Sequence, residues 1–187
     1  TNAQDAATKN YVDTSSNFPQ WLPADLGLIS WAFDPALAVN ASATTAGTIY
    51  TVRLKIPKAT TISNVYLYLS GTAGSGLSNS YVAIYQSGNL LVQSADQSSS
   101  WNSTGGKTIA VTPTAVAAGF VDVAFWVGAA TTMPSFSRTA GTGVVNTPIG
   151  SAANYRFATA NTGVTTTAPS TLGTKTNSAL GHWAGIS

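Results

Sequence analysis

The segment Ile49-Tyr50-Thr51-Val52-Arg53-Leu54-Lys55-Ile56 alternates residue by residue and stops at Pro57. Tyr50, Val52, Leu54 and Ile56 fall on one side, and Thr51, Arg53 and Lys55 on the other. A period of two is the signature of an extended strand with one face buried. The same period returns at 63–69, where Val65, Leu67 and Leu69 share one face and Tyr66 and Tyr68 the other. Shorter runs rich in β-branched and aromatic residues predict further strands at 28–33, 81–86, 90–95, 107–112, 120–128, 155–159 and 181–186. Ser87-Gly88-Asn89 joins two of these as a tight hairpin.

No helical period separates these strands, and the residues that decorate helix surfaces are scarce. Only 7% of the chain is charged, and its six acidic residues are all Asp. Thr, Val and Ile, which favour strands, are everywhere. Five Trp, seven Tyr and six Phe argue against a disordered chain despite the low charge. The expected fold is therefore all-β, a jelly-roll-like β-sandwich of about eight strands over 24–187. The connections 71–79, 96–106 and 129–154 are expected to project from the sandwich ends, where loops carry function.

Residues 1–23 differ from the rest. Asp5 suits an N-cap, and Ala6, Ala7 and Lys9 are strong helix formers, so a short helix is expected over 6–12. The polar run 14–17, followed by Pro19 and Pro23, reads as a linker. Position 1 is Thr and no charged-then-apolar leader follows, so the chain is expected to be part of a longer protein. The longest apolar stretch, 120–130, is too short to span a bilayer and contains Asp122, so no membrane insertion is expected.

The composition also excludes chemistry. With no Cys and no Glu, thiol nucleophiles, Cys-based zinc sites and Glu acid-base pairs are ruled out. The pI of about 9.0 reflects a net charge of only +2, and the eight Lys and Arg are scattered, so no nucleic-acid partner is expected. The single His, His182, is the only base for a Ser-His-Asp triad. No Gly-x-Ser-x-Gly elbow accompanies it, which makes it a structural or exposed residue. Asp25, Asp34, Asp96 and Asp122 are isolated in sequence, and Asp34-Pro35 suits a turn. The Asp-x-Asp spacing of a calcium loop is missing, so neither a metal nor another cofactor is expected. The Gly-rich run 71–76 has no following helix to present amides to a phosphate and reads as a flexible loop. A non-enzymatic role follows, with an Asp pair meeting across a cleft as the catalytic alternative.

The aromatic residues carry the positive signal. Trp101 sits among Ser98, Ser99, Ser100, Asn102, Ser103 and Thr104, where an indole can stack on a sugar or fold back to plug the sandwich. Phe136 and Arg138 form a second polar-aromatic group in the last long connection. Trp126 alternates onto the face of Asp122, opposite Val121, Val123, Phe125 and Val127. It either joins Tyr66, Tyr68 and Asp122 in a binding or subunit-packing surface or is buried between layers. The candidate ligand-binding residues are thus Trp101, Asn102, Asp96, Phe136 and Arg138. A surface so poor in charge leaves recognition to hydrogen bonding and stacking, which suits a neutral glycan.

The run Asp5-Ala6-Ala7-Thr8-Lys9-Asn10-Tyr11-Val12-Asp13 resembles a short element of bacteriophage tail-fibre and other tail proteins, where it precedes a trimeric distal domain. Gly88-Asn89-Leu90-Leu91, Ser99-Ser100-Trp101, the run from Ala118 to Ala124 and the ending His182-Trp183-Ala184-Gly185 are similar in style and spacing to β-sandwich domains of minor tail proteins from phages of actinobacteria. The resemblance implies a receptor-binding role at the tail tip or fibre, an extracellular virion location and a homotrimer. Its partners would be other tail proteins and a host cell-wall or surface polysaccharide. It transfers no functional residue. A helix over 6–12 would set Ala7 and Tyr11 on one face, where they could line a three-fold contact. The competing expectations are a carbohydrate-binding module of a secreted actinobacterial hydrolase and a purely structural virion domain.

Overall fold

The computed structural model describes residues 21–140 and 154–187. The helix expected at 6–12, with Ala7 and Tyr11, lies outside them. Among the described residues the chain forms twelve strands and short 3-10 turns, with no α-helix and none long and apolar enough to cross a membrane. The strands are β1 (Ser30–Trp31), β2 (Asn40–Ala43), β3 (Ile49–Ile56), β4 (Thr60–Leu69), β5 (Ser78–Gln86), β6 (Asn89–Gln93), β7 (Gly105–Val116), β8 (Gly119–Ala129), β9 (Ser135–Arg138), β10 (Phe157–Ala160), β11 (Thr176–Asn177) and β12 (Gly185–Ile186).

They build an all-β sandwich of two antiparallel sheets. In the first, β4 is the spine, paired along one side with β7 and along the other with β12 and β9. β1 extends the sheet beyond β12, and β2 extends it beyond β9. The second sheet runs β11-β10-β3-β8-β5-β6. The pairs β5–β6, β4–β7 and β3–β8 nest inside one another along the chain, so a long folded ribbon wraps across both sheets in a jelly-roll-like manner.

The alternation read from the sequence decides what is buried between the sheets. Tyr50, Val52, Leu54 and Ile56 of β3 meet Val65, Leu67 and Leu69 of β4 and Val121, Val123, Phe125 and Val127 of β8 in one core. Each such side chain contributes roughly 1.5–3 kcal/mol by leaving water. Pro57 ends β3 as expected. Ser87 and Gly88, at φ 53° and 82°, form the two-residue turn between β5 and β6, a left-handed pair of conformations matched to strand twist. Pro113 sits inside β7, where an edge strand tolerates it, beside the β4 bulge between Ile62 and Asn64.

Three strands were not expected. β2 and β11 consist of Asn, Ser, Thr and Ala, and β9 sets a single core ring, Phe136, between serines; all three are too short to show hydrophobic alternation in the sequence and pair along an edge that a neighbour supplies. The outer face of the second sheet is also covered. Residues 161–175 lie across it, and Val164, Ala168 and Leu172 pack on Ile49, Ala83, Tyr85, Ala124 and Trp126. Tyr85 Oη donates to Pro169 O at 2.8 Å, and Leu90 N and Leu172 N bond across to Ser170 O and Gly88 O. Burial pushes the Tyr85 phenol up to about 12.

Candidate functional site

The connections 71–79, 96–106 and the described part of 129–154 meet at one end of the sandwich and brace each other; residues 141–153 of the last connection lie outside the described residues. Gly74 N donates to Trp101 O, Ser75 N to Thr132 O, Thr131 N to Ser75 O and Ser135 N to Thr72 O. The Gly-rich run is therefore a hydrogen-bonded brace rather than a flexible loop. Beneath it, Trp101 is 0% exposed and meets the Phe136 ring edge-on, with centroids 5.0 Å apart. Phe136 is 1% exposed. This corrects the stacking role expected of both rings: they plug the sandwich, because an indole gains more from an apolar core than from water.

The polar members of that group serve the same end. Asp96 accepts hydrogen bonds from Asn79 N, Ser80 N, Ser98 N and Ser98 Oγ, which ties the loop to the start of β5. Partial burial works against its charge, but the bonds from Ser98, Ser80 and Asn79 outweigh it and hold the carboxyl below its usual range. Arg138 folds its Nη1 back onto Thr139 O at 2.9 Å. Asn102 is exposed, but its neighbour Trp101 faces away from solvent. The five expected residues thus share one end of the domain without forming a ligand surface around an open ring.

Two further expectations resolve here. Trp126 is fully buried under residues 161–175, whereas Tyr66 and Tyr68 face outward from the other sheet, so these aromatics form no common surface. His182 is buried between Tyr50, Phe125 and Phe136, each met edge-on. The other carboxylates are occupied locally: Asp25 accepts from Leu22 N, and Asp34 caps Ala36 N, as its Asp-Pro sequence predicts.

A cleft of about 820 Å³ opens at the opposite end of β8, within the usual range of ligand sites. Its floor comes from strand register. Arg53 pairs with Asp122, and Lys55 with Phe120, so all four side chains leave the second sheet on its outer face, where Arg53, Asp122 and Phe120 line the cleft. One wall is the β5–β6 turn, with Gln86, Ser87 and Gly88; another is Ala117, Ala118 and Gly119 at the start of β8; the third is 172–175. Gln86 spans the first two, donating from Nε2 to Ala117 O at 2.9 Å and accepting from Ala117 N at 3.1 Å.

The chemistry of the cleft is mixed. Lys175 Nζ lies 2.6 Å from Asp122 Oδ1, with both side chains more than nine-tenths buried. A pair so desolvated gives little net stability and holds its partners in one place, here the end of the covering segment against β8. Phe120 is 48% exposed, with the Arg53 guanidinium 4.7 Å from its ring centroid. A half-open aromatic ring beside a cation, an ion pair, an amide and the hydroxyls of Ser87 and Thr174 can stack on an apolar ligand face and exchange hydrogen bonds around it.

Sequence reasoning missed this site. The alternation put Arg53 and Lys55 on the face away from the core and did the same for Asp122. Nothing local, however, paired β3 with β8 or laid Lys175 across them. No protein-family model matches the chain, and no curated protein matches it.

Proposed function

We propose that this chain is the distal, host-recognising domain of a phage tail fibre or minor tail protein, which binds a cell-surface glycan during adsorption. In this reading it acts extracellularly, in the virion, as a homotrimer attached to other tail proteins, and it is not an enzyme. The observation that carries the binding role is the half-exposed Phe120 ring at the mouth of a polar cleft. The buried aromatics of the second sheet, Tyr50, Tyr85, Phe125, Trp126 and Phe157, are by contrast enclosed by core or covering segment. The tail-protein assignment is supported by the resemblance of residues 5–13 and of the sandwich sequence.

Phe120→Ala is expected to weaken glycan or host-cell binding at least roughly tenfold, since a central aromatic contact carries more than about 1.4 kcal/mol. Phe120 is half exposed, so the fold should persist. Adsorption of labelled wild-type and variant protein to candidate host cells and to a glycan array measures this, and equal binding by the two proteins removes the cleft from the reading.

The same cleft suits a carbohydrate-binding module of a secreted hydrolase equally well. Mass in solution separates the two. Sedimentation equilibrium at micromolar concentration is expected to return a trimer for the fibre domain; a monomer favours the module.

A further inference from the structure

The outer faces of the two sheets differ. Among the described residues, 161–175 cover the second sheet, whereas the first presents Tyr68, 48% exposed, and the exposed Gly106, Thr108 and Ala110 to solvent. Val65, Leu67 and Leu69 of β4 enter the core, so Tyr66 and Tyr68 leave on the opposite side. Register then sets Trp31, Gly185, Tyr66 and Thr108 in one row across β1, β12, β4 and β7, with Tyr68 facing Gly106 in the next row. Four strands make that row about 14 Å wide. Both glycines leave room that an aromatic ring uses. A Cβ on Gly106 would meet Tyr68 Cδ2 and Cε2 at 3.7 and 3.9 Å, so the ring leans across β7. A Cβ on Gly185 would meet Trp183 Cη2 and Cζ2 at 3.3 and 3.5 Å, so the indole lies over β12, pinned by Nε1 donating to Phe33 O at 2.9 Å. Tyr66 is held at its tip, with Oη 3.0 Å from Ser187 Oγ. Rings fixed in this way lose little freedom when a ligand settles on them.

We propose, resting on the saccharide-binding reading above, that this face is a second saccharide site, separate from the Phe120 cleft, which takes a neutral polysaccharide with its sugar rings stacked on Tyr68 and Trp183. The chemistry of the surface selects that occupant. Every residue in the two rows is uncharged, so an ionic ligand finds nothing to pair with. The rings are fringed by the hydroxyls of Tyr66, Thr108 and Ser187, which can exchange hydrogen bonds with sugar hydroxyls while the ring faces take the apolar side of the sugar. A second copy of the chain would fit less well. The core of a protein interface interlocks projecting side chains at interior density, and here glycine stands where they would project.

The test measures depletion of the full chain from solution by insoluble neutral hexose polymers (glucan, mannan and galactan) and by a uronic-acid polymer, at about 20 mM and about 300 mM salt, between which the screening length falls severalfold. The expected result is binding to at least one neutral polymer that salt leaves unchanged, weakened roughly tenfold by Tyr68→Ala and by Thr108→Arg. The second variant sets a long charged side chain beside Tyr66. Thr108 is exposed and Tyr68 half exposed, and an unfolding midpoint at the wild-type value shows that both variants fold. Binding that falls in Phe120→Ala and is unchanged in these two overturns the sheet-face site and leaves the cleft standing; the reverse pattern keeps the face and removes the cleft. Loss in all three variants supports both sites. Binding confined to the acidic polymer, or weakened tenfold by salt, overturns the neutral assignment. A fall in sedimentation mass in Thr108→Arg reassigns the face to contact between copies of the chain, and no binding to any polymer overturns both saccharide sites.

Discussion

Trp101→Ala is expected to destabilise the domain by about 3–5 kcal/mol, the usual cost of removing a large buried aromatic together with the cavity it leaves. The indole is 0% exposed, packs edge-on against Phe136, and is held by backbone bonds from Trp101 N to Gln97 O and from Gly74 N to Trp101 O. Removing it empties the space beneath three interlocked loops, so their hydrogen bonds lose the surface on which they rest. Urea unfolding at neutral pH measures the loss as a lower midpoint. Trp101→Phe should cost less than its volume change implies, because the buried Nε1 makes no hydrogen bond and phenylalanine removes that unsatisfied donor. Glycan binding, measured well below both melting transitions, is expected to survive in Trp101→Phe. An unchanged unfolding midpoint together with lost binding would reassign the ring to a ligand.

Acidification should destabilise the domain well above the pH at which its carboxylates protonate. His182 is 1% exposed, and burial, followed by the nearby charge of Arg138, pushes its pKa from 6.5 down to about 4; the backbone at Phe136 and Ser137 opposes the shift only in part. Its folded pKa is the lower one, so between about 4 and 6.5 the unfolded chain binds the proton more readily. Stability is therefore complete above pH 6.5, declines as pH falls through that window, and levels off below about 4. The total is about 3 kcal/mol, from roughly 1.4 kcal/mol per pKa unit. Asp96, held below its ordinary 3.8, loses its contribution at lower pH still, outside this window. Thermal melts between pH 4.5 and 8 are expected to show the decline in the wild type and a nearly flat profile in His182→Phe. That variant keeps an aromatic ring against Tyr50, Phe125 and Phe136 and carries nothing to protonate. A wild-type profile that is already flat would mean that the ring does not titrate in a buried site.

Sequence and structure divide along a physical line in these two cases. His182 lies between Gly181 and Trp183, a context that permits either an exposed or an enclosed ring. Its burial follows from the bridge between His182 and Arg138, which brings the C-terminal segment to β9. For Trp101, small polar neighbours suggested a ligand surface. Those neighbours are exposed or half-buried residues of a tight turn, and their polarity says nothing about where the indole points.

The class of fold was legible because its cause is local. A strand alternates between faces whatever its partner, so 49–56 could be read to the residue, and Pro57 ended it. The Ser87-Gly88 turn and the Asp34 cap were legible for the same reason: each is satisfied within a few residues. The short strands β2, β9 and β11 were not, since too few residues alternate in them and a partner's edge is what makes them strands.

The cleft belongs wholly to the tertiary structure. Sequence determined that Arg53, Lys55 and Asp122 would point away from the core. Only the pairing of β3 with β8 made them neighbours of one another and of Phe120, and only the return of residues 161–175 decided where that face is covered and where it stays open. Alternation is a property of the backbone, repeated every two residues. Register and coverage depend on which distant segments bury the most apolar surface together, and a single chain read in order does not contain that comparison.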